Sequence, residues 1–139
     1  MMKKLYYILN TIWGFPMTLI GLLAYAILTC CGYKAKDWAT CKWFTVGKNW
    51  GGVSLGFVII TDDNPSVKTL DHEFGHSLQN AVFGILFPFI VAIPSATRYW
   101  KREFDTKKGK QLPPYDSIWF EGQATKIGSL YRPMFEDKK

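Results

Sequence analysis

The stretch DHEFGHSLQN, Asp71 to Asn80, holds both histidines of the chain, four residues apart, with Glu73 directly after the first. On an α-helix, residues i and i+4 lie one turn apart on the same face, so His72 and His76 turn two imidazoles toward one point. The surrounding residues predict such a helix. Val67, Leu70, Phe74 and Leu78 recur at helical spacing, Asp63 or Asn64 is available as an N-cap, and Pro65 suits a first helical turn. Two neutral imidazoles in this arrangement are suited to a divalent cation, and zinc takes such ligands in tetrahedral geometry. Glu73 points to the same side, where a carboxylate can accept a proton from water and return it to a leaving amine. The spacing therefore predicts a Zn2+ site with His72 and His76 as ligands and Glu73 as general base.

A catalytic zinc takes a third protein ligand and keeps one position open. No third histidine exists, so a carboxylate or a cysteine must complete the set. Cys30 and Cys31 are adjacent at the end of an apolar run, where packing or lipid contact is the expected role. With Cys41 they make an odd count without framework spacing, which points to a reducing compartment rather than a disulfide scaffold. Glu121, in WFEGQA on a predicted helix 45 residues after His76, is the expected third ligand, with Asp116 and Glu103 as rival carboxylates. Asp71, next to His72 in the chain, is expected to support a ligand rather than to be one. Tyr115 and Tyr131 are available as donors to developing negative charge.

Outward from this motif the chain is unusual for its apolar runs. Its 139 residues suit one domain. No charged residue occurs from Leu5 to Cys31, or from Ala81 to Ala96. A spanning helix needs ~20 mostly apolar residues, so the first run is long enough and the second is marginal. GFP, Gly14 to Pro16, predicts a kink in the first. Pro88 and Pro94 in the second predict a re-entrant turn or an interfacial segment rather than a straight crossing. The basic start and the AYA triplet at Ala24 to Ala26 partly fit a cleaved signal, but the run is too long, and a retained anchor is expected.

Between the two runs, CKWFTV (Cys41 to Val46) and GVSLGFVII (Gly52 to Ile60) are rich in β-branched and aromatic residues, with GKNWGG as the turn between them. A β-hairpin or small meander is expected, and strand Gly52 to Ile60 is a candidate edge for an extended peptide. Tyr115 to Tyr131 reads as a last amphipathic helix, with Phe120, Ala124, Ile127 and Tyr131 on one stripe. The expected architecture is thus α+β and membrane-associated, with residues 1–32 as a membrane anchor and 33–139 as the zinc-binding domain, including the apolar segment 81–96.

The net charge of +6 concentrates between Arg98 and Lys110, read as a basic linker facing anionic lipid. No helix-turn-helix or comparable motif accompanies it, so nucleic acid is not an expected partner. The expected partners are a lipid bilayer and a peptide or protein substrate. Nothing in the sequence fixes an oligomeric state.

HEFGH followed by WFEGQA resembles the gluzincin arrangement of zinc metallopeptidases, in which a glutamate on a later helix joins the two histidines. More closely, GGVSLGFVII, DHEFGHSLQN, the IPSA stretch and the WFEGQA segment, with WGFP before them, are similar to a group of small, poorly characterised bacterial membrane proteins. Those carry a GGVSLG-type strand, an HEYGH-type helix and an ExWAD-type segment. The resemblance covers about residues 12 to 130. It implies a zinc metallopeptidase in a bacterial inner membrane, with His72, His76 and Glu121 as ligands and Glu73 as base. The positive-inside bias of the basic cluster leans the site to the cytoplasmic face.

One departure bears on activity. Where the group commonly has an acid four residues after the third ligand, this chain has Thr125. Losing a group that orients a ligand histidine typically costs 10–100-fold in affinity or activity. Asp116 or Asp71 is expected to substitute; otherwise the chain is a weak or inactive metal-binding membrane protein. The ligand set also sets a condition on the fold: segment 81–96 must turn back at Pro88 or lie in the interface, so that Glu121 and the histidines end on one side.

Overall fold

A computed structural model describes residues 1–136 of the chain. The fold is α+β: helices on either side of one run of strands among the described residues, with the histidine helix at the centre.

The first apolar run forms α1 (Met2–Ile8), which continues as a π-turn over Leu9–Trp13, and α2 (Phe15–Cys30). The chain bends by 97° between Met2–Trp13 and Phe15–Cys30. The cause is Pro16 in the first turn of α2, which has no amide to continue the preceding helix. The bend turns α1 inward. Tyr6 lies in a core cluster with Phe74 and Phe135, and the Asn80 side chain donates to Asn10 Oδ1 (2.7 Å) and to the Gly14 carbonyl (3.2 Å).

Four strands follow: β1 (Lys36–Trp38), β2 (Cys41–Thr45), β3 (Gly52–Leu55) and β4 (Val58–Thr61), in the order β1-β2-β4-β3. GVSLGFVII is therefore not one strand but a tight hairpin. Leu55 pairs with Val58 across a two-residue turn that begins at Gly56, whose φ of 65° suits a primed hairpin turn. GKNWGG does not join neighbouring strands either. It carries the chain from β2 past the place of β4 to the far edge, so β2 and β4 run parallel, Lys42 opposite Val58 and Thr45 opposite Thr61. β1, which pairs with β2 from Lys36↔Trp43 to Trp38↔Cys41, was not expected from the sequence.

α3 (Val67–Phe83) carries the motif. Its N-cap is Ser66, whose Oγ accepts from the Thr69 amide at 3.1 Å, not Asp63 or Asn64. Val67 is exposed, whereas Leu70 and Phe74 are buried. Polar residues on the other faces, among them Glu73, Ser77, Gln79 and Asn80, are buried too, because strands, α1 and the last helix surround α3.

The second apolar run bends by 117° between Val67–Leu86 and Pro88–Lys107. A short 3-10 turn (Gly84–Leu86) and a π-turn (Pro88–Ala92) lead into α4 (Ile93–Lys107). Most of the run read as a basic linker, up to Lys107, is thus helical, as its composition of lysine, arginine and aromatic residues without glycine before Gly109 allows. After a 3-10 turn at Tyr115–Ser117, α5 (Trp119–Phe135) packs along α3. Among the described residues no single helix is long and apolar enough to cross a membrane, although the two bent pairs pass that test jointly.

Two glycines set the α3–α5 spacing. A Cβ on Gly75 would sit 1.9 Å from the Ala124 carbonyl oxygen, and one on Gly128 would sit 1.7 Å from that of Asp71. Backbones that close leave no room for a side chain at either crossing point, and they bring Glu121 within reach of the histidines.

Candidate metal centre

Three side chains converge where α3 faces the first turn of α5. Glu121 Oε2 lies 3.0 Å from His72 Nε2 and 3.1 Å from His76 Nε2, and the two Nε2 atoms are 3.1 Å apart. Glu121 is fully buried and His76 nearly so.

The hydrogen bonds behind these atoms assign the histidine tautomers. The Gln79 amide donates to the Phe120 carbonyl and to Gln123 Oε1, both at 2.9 Å, so its Oε1 is left to accept. It accepts from His76 Nδ1 at 2.8 Å. The Thr125 hydroxyl donates to the Glu121 carbonyl (3.2 Å), so its lone pair accepts from His72 Nδ1 (2.8 Å). With both Nδ1 atoms acting as donors, each neutral imidazole turns the lone pair of Nε2 toward the other and toward a carboxylate oxygen. Three acceptors facing one point, with no donor among them, call for a cation.

The three atoms could hold a metal ion. For zinc, bonds of about 2.0–2.1 Å would put neighbouring ligands of a tetrahedron roughly 3.3–3.4 Å apart, about 0.2–0.4 Å wider than the triangle observed. Without metal, a proton takes the cation's part. Burial opposes charge on His76, but its hydrogen bond with Glu121 and the charges of Glu73 and Glu121 outweigh that and raise its pKa. Burial would likewise raise the Glu121 carboxyl, yet hydrogen bonds from His72, His76 and Ser95 hold it well below the usual carboxylate range. Ser95 Oγ, from α4, donates to Glu121 Oε1 at 2.5 Å.

Glu73 stands beside the triangle without joining it. Its carboxylate has no hydrogen bond among the described residues and lines a cleft of about 300 Å3 with His72 and His76. Burial, the largest influence, raises its pKa. Gly52 on β3 makes room, since a Cβ there would lie 2.9 Å from Glu73 Oε1.

The other expected residues separate. Thr125 itself occupies the orienting position, so neither Asp71 nor Asp116 does. Asp71 faces Arg132 instead (3.4 Å), and Asp116 faces Lys68 (3.5 Å). Glu103 is exposed on α4. Cys30 and Cys31 are exposed and Cys41 is buried, all three free. Tyr131 is exposed and lines a different groove, beside Leu9 and Phe135. Tyr115 lines the cleft, its ring 6.0 Å from that of His72, and burial, followed by the charge of Glu121, pushes its hydroxyl up to about 12.

Sequence reasoning missed what holds Tyr115 there. Arg98 Nη2 donates to the Tyr115 carbonyl (3.0 Å) and Ser117 Oγ (3.1 Å), and Arg102 Nη1 to the Pro113 carbonyl (2.7 Å). Both guanidinium groups lie within 6 Å of the Tyr115 ring, at 5.8 and 5.4 Å. Two arginines counted as lipid-facing charge therefore turn inward and latch α4 to the loop before α5. Tyr99, whose hydroxyl donates to the Trp50 carbonyl at 3.1 Å, closes the same wall of the cleft. The available signal was the spacing of Arg98 and Arg102, one helical turn apart.

No family model, curated protein or solved structure matches this chain. The gluzincin resemblance stands on its motifs alone.

Proposed function

We propose that this protein is a membrane-associated zinc metallopeptidase. The observation that carries the reading is the triangle of His72 Nε2, His76 Nε2 and Glu121 Oε2, with both Nδ1 donors already committed and the unpaired Glu73 carboxylate beside it. Zinc bound there would supply Lewis acidity, polarising a peptide carbonyl and making water acidic enough to react near neutral pH.

The chain's own residues would do the rest. Glu73 accepts a proton from water and passes it to the departing amine, and the burial that raises its pKa suits it to both transfers. Tyr115, held by Arg98 and Arg102, offers its hydroxyl to the oxygen that gains charge. β3 pairs on one side only, with β4, and its residues Gly52 to Ser54 line the cleft, so an extended peptide can add along its free edge. Met17, Phe87 and Val91 at the apolar end of the cleft favour an apolar side chain next to the scissile bond.

Membrane association draws support from α2, where Leu19, Ile20, Leu23 and Ile27 are each at least half exposed on a helix without charge. Contiguous exposed apolar surface of this kind marks a lipid or protein contact. With the bend at Pro16, α2 would lie along or dip into a bilayer, bacterial inner membrane on the resemblance, rather than cross it as a straight anchor. The alternative, a weak or inactive metal-binding protein, rests on Thr125, whose hydroxyl accepts from His72 Nδ1 where a carboxylate is common.

Zinc analysis and cleavage of a peptide library by wild type and Glu73→Gln test the reading together. Both proteins should carry about one zinc per chain, with cleavage by the variant slower by roughly 10²–10⁴-fold. Failure of the purified protein to take up zinc, or equal cleavage by both, ends the proposal.

A further inference from the structure

α4 is amphipathic the wrong way round for a helix surrounded by water. At about 100° per residue, Ile93, Trp100 and Phe104 fall within roughly 20° of one line along it. All three face out, 56%, 70% and 58% exposed, and Phe89 in the π-turn before them is 69% exposed. The opposite side carries Ser95, Arg98, Tyr99 and Arg102, and each of these makes its hydrogen bonds to the protein. A helix packed on a soluble domain buries its apolar stripe and exposes its charges. Here the arginines are spent on loop carbonyls and the aromatic residues are left outside.

The charges around the stripe indicate what covers it. Lys101, Lys107 and Lys108 are exposed along it, and Lys108 Nζ lies 4.1 Å from the centre of the Phe104 ring. Lys110 is engaged with Asp105 at 2.8 Å, which leaves Glu103 as the exposed acid of the helix. A second copy of the chain meeting this face about a two-fold axis would set the lysines against their own counterparts. An anionic lipid surface meets both features at once, taking the rings at headgroup depth while the lysine stems extend to phosphate.

We propose that α4, with Phe89, is an interfacial helix seated in anionic lipid. Ser95, Tyr99 and the inner side of Trp100 wall the cleft, so the same helix holds the cleft mouth at the bilayer surface. The substrates are then chain segments lying at headgroup level, next to a spanning helix or on an amphipathic one. This deepens the membrane reading above and rests on it, but does not depend on the metal.

The test uses the full-length protein with Cys30→Ser and Cys31→Ser, and Phe104→Cys carrying an environment-sensitive dye. Cys41 is buried and stays unlabelled. The labelled protein is mixed with vesicles of phosphatidylcholine alone, or of two parts phosphatidylcholine to one part phosphatidylglycerol. In the anionic vesicles the dye should shift to the blue and be shielded from an aqueous quencher. In the neutral vesicles it should stay accessible. Replacing Lys101, Lys107 and Lys108 together by Gln should lower the ratio of shielded to accessible dye on the order of 100-fold at low salt, and high salt should act in the same direction. Dye that stays accessible on protein floating with anionic vesicles overturns the role of α4 and leaves membrane association standing. Shielding that ignores lipid charge and the lysine changes overturns the anionic preference. Shielding without vesicles that grows with protein concentration assigns the face to a second copy and overturns the proposal. Protein that floats with neither vesicle overturns both readings.

Discussion

Gly75→Ala tests the central claim of the site, that a close backbone crossing sets the ligand triangle. The new Cβ would lie 1.9 Å from the Ala124 carbonyl oxygen and 2.5 Å from its carbon, and both are backbone atoms that no rotamer change can move. To reach even a tight contact, α3 and α5 must part by about 1 Å. Alanine favours the helix by ~1 kcal/mol over glycine, while overpacking of this kind costs typically 1–3 kcal/mol. With backbone on the other side the upper part of that range applies, for a net loss of about 1–2 kcal/mol and a melting temperature lower by roughly 3–8 °C. Zinc suffers more. Metal–ligand distances tolerate only about ±0.2 Å, so moving Glu121 away from the histidines should weaken binding by more than about 100-fold. The assays are thermal melts of the metal-free protein and competition for zinc with a chelator of known affinity. A variant with wild-type zinc affinity and a metal-free melting temperature equal to or above wild type would refute the reasoning, since helix propensity alone would then have acted. Gly128→Ala, against the Asp71 carbonyl, should move both readouts in the same direction.

Two further outcomes follow from the hydrogen bonds and the titrating groups. Thr125→Val removes the acceptor of His72 Nδ1 at nearly constant volume, and zinc affinity should fall by about 10–100-fold while Thr125→Asp retains it; equal affinities in all three proteins would deny Thr125 its orienting role. In the metal-free protein the pKa of His76 is raised above 6.5 on folding, so its contribution to stability is complete below 6.5 and is lost as pH rises through the folded value. Glu73, raised above 4.5 by burial, acts in the same direction. The metal-free melting temperature should therefore fall from about pH 6 to about pH 8, while the increase produced by zinc grows as the metal displaces the His76 proton. Differential scanning calorimetry with and without zinc reads both, and a metal-free melting temperature that climbs across that window contradicts the assignment.

The sequence made the α+β class and the convergence of His72, His76 and Glu121 legible, because a four-residue spacing on a helix is local information and few rival ligands exist in the chain. Strand order was not legible. Gly56 looks the same in a sequence whether a strand passes through it or turns there, and only its positive φ separates the two. The cap moved from Asp63 or Asn64 to Ser66 because several oxygens in a row compete and packing chooses among them. At Thr125 the commonly found acid is absent, yet a hydroxyl whose own proton goes to the Glu121 carbonyl can still accept from the His72 ring. Within the basic run, the inward turn of Arg98 and Arg102 was hidden because charge carries no direction. Helical phase would have placed Arg98 and Arg102 opposite Ile93, Trp100 and Phe104, and it is phase, not net charge, that separates the inward latch from the outward face.

The cluster that unites Tyr6 with Phe74 and Phe135 has a consequence for biogenesis. Tyr6 and Phe135 stack edge to face at 5.6 Å although nearly the whole chain lies between them. That contact closes late, after a loop whose entropy must first be overcome. Until then the uncharged stretch from Leu5 to Cys31 has already been synthesised and can meet only the strands and α3, with the α5 side of its core still open. Such a nascent chain is prone to aggregate unless another apolar phase receives it, so translation close to a bilayer or in the presence of a holdase chaperone should decide how much of it reaches the native state.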